Sequence, residues 1–304
     1  MAFSPDGHTL ATAGNDRTAR LWDPATGRQL HTLTGHEDRV SAVAFSPNGH
    51  TLATASGDLS VRLWDPTTGR QLHTLTGHKG GVQAVAFSPD GHTLATAGND
   101  RTARLWDPAT GRELRTLTGH EDRVHAVAFS PNGHTLATAG NDRTARLWNP
   151  ATGRQLHTFT SHKDSLHTVV FSPDGHTLAT ASDDHSARLW DPTTGHQLHT
   201  LTGHKSWVRA VAFSPDGHTL ATASDDRTVR LWNPATGAWL AALAGAPDGW
   251  IAYTPEGRYK LAGRIGADTF WYVIGLCRFA PGELDPFLPE GTLTRVAEDE
   301  PLRR

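Results

Sequence analysis

Apolar and polar positions alternate with a period of two over VHAVAF (124–129), and the run stops at Ser-Pro-Asn-Gly. HTLATA (134–139) follows and ends at Gly-Asn-Asp. TARLWN (144–149) ends at Pro-Ala-Thr-Gly, and RQLHTFT (154–160) is the most polar of the four. Alternation bounded by turn residues predicts four short strands. The polar fourth strand fits an outer edge that must not pair with other edges. No segment carries a convincing helical period, so the chain reads as all-β.

The same pattern recurs. The segment FSP[DN]GHTLATA starts at Phe3, Phe45, Phe87, Phe129, Phe171 and Phe213, and the tryptophans of LW[DN]P[AT]TG stand at Trp22, Trp64, Trp106, Trp148, Trp190 and Trp232. Each step is 42 residues without insertion. A four-stranded sheet of this length cannot bury its own faces. Copies must pack face to face, and a closed ring leaves no terminal face unpaired, which predicts a β-propeller.

The Gly-His pairs, the Ser-Pro-Asp-Gly turn, the Asp of Gly-Asn-Asp and the closing Trp-Asp resemble WD40 repeats over residues 1–244. The resemblance implies a seven-bladed WD40 propeller: six regular 42-residue repeats (1–244) and one degenerate C-terminal blade (245–296), with a polar tail (297–304). In the seventh, WIAYTPEGRY (250–259) aligns with VRAVAFSPDGHT, Tyr253 taking the Phe slot two residues early. Ala246 then stands for the His, Ala262 for the Thr, Gly266 for the Asp and Tyr272 for the Trp, so the polar set is lost. DTFWYVIGL (268–276) falls at the third strand, and 277–296 is expected to supply an outer strand. WD40 chains usually donate their first strand to the last blade. Here Met1 takes the slot of Val43, Val85, Val127, Val169 and Val211, inside an innermost strand. The chain is therefore expected to be the C-terminal piece of a longer product, with a short protein whose first blade is poorly formed as the alternative.

Composition narrows the class. The 304 residues carry a net charge of −3, which implies no attraction to nucleic acid or an anionic membrane. Cys277 is the only cysteine, so an intramolecular disulfide and a cysteine metal site are both out of reach. The start MAFSPDGH has no signal-peptide pattern, and the longest apolar run, FWYVIGLC (270–277), is too short to span a bilayer. A cytoplasmic location is expected.

One repeat holds a histidine, a hydroxyl and a carboxylate: His120, Thr138 and Asp142, with Trp148. These are the parts of a hydrolytic triad. The set recurs as His36, Thr54, Asp58 and Trp64; His78, Thr96, Asp100 and Trp106; His162, Thr180, Asp184 and Trp190; and His204, Thr222, Asp226 and Trp232. Five parallel active sites have no obvious use, and no strained nucleophile turn accompanies them. The WD40 resemblance implies a brace instead, with the imidazole between the turn Asp and the strand Thr, and the Thr hydroxyl joined to the indole N–H. No catalytic residue and no cofactor are assigned. The other histidines, at turns (His8, His50, His92, His134, His176, His218) or on outer strands (His31, His73, His157, His199), repeat once per blade. They lack a second ligand nearby, so no metal is expected.

Differences between copies point elsewhere. After each Gly-His or Ser-His, the position before the strand reads Arg39, Gly81, Arg123, Ser165 and Trp207. Two residues on it reads Ser41, Gln83, His125, His167 and Arg209, and the residue before the turn Asp varies from Asn15 and Gly57 to Asp183 and Asp225. The resemblance places the loop on the narrower face, around the central channel. Arg39, Ser41, Gln83, Arg123, His125, His167, Trp207 and Arg209 are the candidate contacts for a protein or peptide partner, Trp and Arg being the types that dominate hot spots. The expected function is a non-catalytic interaction scaffold, the sensing or docking part of a larger bacterial signalling protein. The alternatives are a hydrolase-type propeller enzyme using the channel, and a structural fragment of an amplified repeat array.

Overall fold

The structure, a computed structural model, describes residues 1–246, 248–255 and 257–264, with the backbone of Tyr272–Ile274, Cys277–Phe279 and Thr294–Arg295. Six sheets, each built on four antiparallel strands, follow one another in chain order. Sheet one holds Ala2–Phe3, Leu10–Ala13, Ala19–Trp22 and Gln29–Leu33, and sheets two, three and five open at Val40–Phe45, Val82–Phe87 and Leu166–Phe171. Sheet four shows the pattern in full: Val124–Phe129, Leu136–Gly140, Ala145–Trp148 and Gln155–Phe159. Among the described residues no helix is long and apolar enough to cross a membrane.

The turns are built by the residues that punctuate the sequence. Between the first two strands of sheet four, Gly133 donates its N–H to the Ser130 carbonyl at 2.8 Å with φ of +72°, a conformation glycine enters without penalty. Between the second and third strands, Arg143 is held at φ of +63°. The Asp142 carboxylate fastens that turn by accepting the Thr144 N–H and hydroxyl.

The core lies between sheets. One face of sheet three presents Ala95, Ala97, Ala103, Leu105 and Leu117; it packs on Val124, Val127, Leu136 and Trp148 of sheet four. The same pairing joins each sheet to the next, from sheet one through sheet six. The small alanines face the large indole of the neighbouring sheet, and both are buried there. First strands also pack against first strands of the next sheet, so they are innermost. This is the β-propeller arrangement that the repeat predicts.

The expected degenerate seventh blade (245–296) lies largely outside the described residues, and most of its described strands join sheet six. Asp248–Tyr253 and Arg258–Arg264 continue sheet six beyond its outer strand Trp239–Ala246, and do not open a separate sheet among the described residues. Thr294–Arg295 joins this sheet in parallel, while Tyr272–Ile274 pairs with Cys277–Phe279. The hairpin still echoes a blade, since Gly257 donates to the Thr254 carbonyl as Gly49 does to Ser46. Its turn is one residue shorter: Tyr253 pairs with Tyr259, where Phe45 pairs with Leu52. Leu261, opposite Ile251, therefore takes the Thr slot that Ala262 was expected to hold. Gly266, the Tyr272 side chain, most of 268–296 and the tail 297–304 lie outside the described residues.

Candidate functional site

The recurring histidines are buried, and each closes a four-residue chain. In sheet four, the Trp148 indole donates to Thr138 Oγ1 at 2.9 Å, Thr138 Oγ1 lies 2.7 Å from His120 Nε2, and His120 Nδ1 lies 2.8 Å from Asp142 Oδ2. The sets at His36, His78, His162 and His204 repeat this geometry. One consistent order of donors has Trp giving to Thr, Thr giving to Nε2, and Nδ1–H giving to Asp, with the ring's proton on Nδ1. Burial pushes the rings of His36, His162 and His204 below the usual imidazole value, against the opposing pull of their aspartates. Burial works the other way on the carboxylates, raising them. At Asp58 the Ser60 hydroxyl, the Glu37 amide and His36 outweigh it and hold the group at about 2. The threonines are fully buried, so these hydroxyls cannot reach a substrate. The set is a brace between the Gly-His loop, the second and third strands and the turn that joins them. Sheet one keeps only the Trp22 to Thr12 bond, at 2.8 Å.

The variable positions obey a different geometry. In sheet four, Val124 pairs with Gly140 but Ala126 pairs with Ala139. His125 is thus the extra residue of a β-bulge, which re-aims its side chain. Ser41, Gln83, His167 and Arg209 occupy the same bulge in sheets two, three, five and six. They lie on the innermost strands, and the last three meet: the His125 and His167 rings are 5.5 Å apart, and Arg209 Nη1 is 2.9 Å from His167 Nε2.

Each of the last three bulge residues also finds the variable residue before the turn Asp of its own sheet. His125 Nε2 donates to Asn141 Oδ1 at 2.6 Å, His167 Nε2 lies 2.7 Å from Asp183 Oδ1, and Arg209 Nε donates to Asp225 Oδ2 at 2.9 Å. His167 Nε2 serves one neighbour at a time. Protonated there, it donates to Asp183; with its proton on Nδ1, it accepts from Arg209. Burial lowers the His125 ring below its usual value, opposed by Asn141 and reinforced by His167 and Arg123. In sheet two, Gly57 offers Ser41 no side chain, and the buried Ser41 hydroxyl oxygen has no partner.

Arg39, Arg123 and Trp207 are exposed, and their carbonyls accept the N–H of Gly57, Asn141 and Asp225. The backbone does the structural work there, so the side chain is free to vary. Trp207 stacks under the Arg209 guanidinium, 4.4 Å from ring centroid to Cζ.

Two features escaped the sequence reading. The outer-strand histidines are clamps between sheets: Nε2 of His31, His73, His157 and His199 donates to the carbonyls of Thr67, Ala109, Thr193 and Ala235 at 3.0–3.1 Å. Arg115 does the same to Ala151 in the repeat without the histidine. Arg104 extends the brace of sheet three, joining Glu113 at 2.6 Å and lying 3.8 Å from Asp100. The sequence signal for the clamp is the constant spacing of 36 residues to the acceptor. Among the described residues no three His, Cys, Asp or Glu side chains are placed to hold a metal ion.

The family model described as "WD domain, G-beta repeat" matches residues 1–23, 27–65, 69–107, 111–149, 153–191 and 195–233, well over half of the chain. The similarity to each of the following curated proteins covers the length of about one repeat. The dynein assembly factor with WD repeat domains 1 of Danio rerio is 46% identical over 44 residues, 14% of this chain and 11% of that protein. The probable serine/threonine-protein kinase PkwA of Thermomonospora curvata is 50% identical over 42 residues, 14% of this chain and 6% of that protein. Protein tipD of Dictyostelium discoideum is 45% identical over 40 residues, 13% and 6%. The matched stretch thus spans about a tenth or less of each relative's length. With six matched repeats, each folded as a four-stranded unit around the same Asp–His–Thr–Trp brace or its remnant, the chain belongs to the WD40 repeat family.

Proposed function

We propose that this chain is a non-catalytic docking scaffold whose protein or peptide partner seats on the innermost bulges and on the loops that precede them. The observation that carries the reading is the pairing of positions that vary. His125 with Asn141, His167 with Asp183 and Arg209 with Asp225 are chemically matched within their own sheets, Arg209 also reaches His167 of the neighbouring sheet, and the pairs differ from repeat to repeat on a frame that otherwise hardly changes. A rigid frame with distinct side chains at one end presents a preorganised surface, which keeps the ordering cost of binding low. Trp207 and Arg209 are the expected anchors.

The wider setting is the docking part of a larger bacterial signalling protein in the cytoplasm. The likeness of one repeat to a probable serine/threonine-protein kinase of Thermomonospora curvata supports that setting, and the WD-repeat assembly factors support a scaffold role. The test is affinity capture on the immobilised chain, with retained proteins identified by mass spectrometry and compared with Trp207→Ala and Arg209→Ala. A protein retained by the wild type and lost with both variants bears the reading out. Equal retention moves the site elsewhere, and no specific retention favours a structural fragment of a repeat array.

A further inference from the structure

The bulge residues carry charge at one seam. The residue before the turn Asp is Asn15, Gly57, Asn99 and Asn141 in sheets one to four, and a carboxylate, Asp183 or Asp225, in sheets five and six. His167 and Arg209 are bonded to those carboxylates and to each other. An imidazole, a guanidinium and two carboxylates therefore meet where sheets five and six adjoin. The side chains of Asp183 and His167 are 14% and 22% exposed, sheltered from bulk water and still open to protons from it.

His167 Nε2 faces two incompatible neighbours. It lies 2.7 Å from Asp183 Oδ1, which as a carboxylate only accepts, and 2.9 Å from Arg209 Nη1, which only donates. A bond from Arg209 needs a bare Nε2, found only in the neutral ring with its proton on Nδ1. A charged ring has protons on both nitrogens; it donates to Asp183 and meets Arg209 with a like charge. Arg209 has other holds. Its Nε donates to Asp225 at 2.9 Å, Nη1 is 3.6 Å from Asp183, and the guanidinium stacks on Trp207. It therefore stays at the seam when the bond to His167 goes, with its Nη edge released. On the far side of His167 stands His125 of sheet four, ring to ring at 5.5 Å. Burial pushes His125 below its ordinary value, while Arg123 and Asp122 act on it with opposite signs, so a second charge beside His167 is disfavoured.

We propose that His167 is a proton-operated latch on Arg209, and that it regulates the docking face. The neutral ring ties Arg209 to sheet five, and protonation breaks the tie and frees the Nη edge. Imidazole is the side chain whose ordinary change of charge falls between about pH 5 and 8. Ser41 and Gln83, at the same bulge in sheets two and three, have nothing to titrate there. The consequence for docking rests on the scaffold reading above: a partner that offers a carboxylate to Arg209 binds more tightly in mild acid. The latch itself needs no partner.

The test reads latch and docking separately. NMR of the full chain with isotope-labelled histidine and arginine follows the His167 ring nitrogens and the Arg209 Nε–H from about pH 8 to about pH 5, over the span in which circular dichroism is unchanged. His167→Gln assigns the ring signals and is the control, because an amide gives Asp183 a donor and Arg209 an acceptor at every pH. The wild type is expected to show a bare Nε2 at the alkaline end, and an Arg209 signal that moves with the midpoint of the ring. In His167→Gln the Arg209 signal is expected to stay still. A neutral ring with its proton on Nε2, a ring that does not titrate in this range, or an Arg209 signal that ignores it overturns the latch, whether or not a partner is found. For docking, the captured partner is titrated by calorimetry at both ends of the range. Wild-type binding is expected to be about tenfold tighter in acid, the scale of one charge-assisted hydrogen bond, and His167→Gln binding is expected to be independent of pH. Equal or weaker wild-type binding in acid overturns the regulation and leaves the docking reading standing. Capture of no partner removes the docking reading and its regulation together, and the latch is then decided by the NMR alone.

Discussion

His120 Nε2 lies 2.7 Å from Thr138 Oγ1, and that hydroxyl is fully buried. The threonine has the Trp148 indole on one side and the imidazole on the other, so removing the ring leaves both the Thr138 hydroxyl and the Asp142 carboxylate short of a partner. His120→Ala is expected to destabilise the fold by roughly 2–3 kcal/mol, the cost of orphaned buried polar groups. Calorimetric melts of the wild type and the variant measure it. An unchanged melt would show that the brace carries no stability.

The same brace sets an acid limit. The buried rings of His36, His162 and His204 sit below the free value of 6.5, so the folded state disfavours their protonation. A depressed group contributes fully above its unfolded value and loses that contribution as the pH falls through its folded value. The first loss therefore begins as the pH drops below about 6.5. A second follows between 3.8 and about 2, where Asp58 and Asp226 bind protons in the unfolded chain before they do so in the fold. Melting temperature should be level above neutrality and fall in two stages toward acid. A melt that stays flat from neutral pH down to 5 would contradict the histidine stage.

The clamps between sheets have a glycine beneath them. Gly195 has φ of +77°, and a Cβ there would stand 2.9 Å from His157 Nδ1. His157→Ala should cost about 1 kcal/mol for the lost bond to the Thr193 carbonyl. Gly195→Ala should cost about 1–2 kcal/mol from backbone conformation alone, with the clash in addition. Combining Gly195→Ala with His157→Ala removes the clash, so the double variant should cost less than the two single changes added together. Urea titrations of all four proteins test the coupling.

At the channel end the expectation reverses. Trp207 is 44% exposed and the Arg209 side chain 37%. Trp207→Ala and Arg209→Ala should each change stability by less than about 0.5 kcal/mol, as surface substitutions do. If these residues anchor the partner, each should weaken binding by more than about tenfold, the scale of a hot spot. Isothermal titration with the captured partner and a melt of each variant separate the two effects. A variant that loses stability and binding together would argue against an anchor role.

The repeat made much of this legible in the chain itself. Six copies at a step of 42 residues required one four-stranded unit packed on itself, and Phe, Trp and His slots could be assigned by counting. The order within the brace came with the family resemblance, and the observed distances repeat it in five sheets. Other features needed the fold. That Ser41, Gln83, His125, His167 and Arg209 are bulge residues depends on a one-residue slip between two strands, which composition does not encode. Their partners lie 16 residues on, across a turn, and variation at both positions was visible before their contact was. The hairpin after residue 244 shows the limit from the other side. Its likeness to a blade is real in the turn, yet its strands extend sheet six, because a strand pairs with whichever edge is free and near.

By itself, then, the chain determined the all-β class, the period of the blades and the residues that brace them, since periodicity and turn chemistry are local and each repeat restates them. Tertiary structure alone decided which varying side chains meet and which histidines clamp neighbouring sheets. Those depend on register and on what lies beside each sheet, and both are properties of the packed molecule.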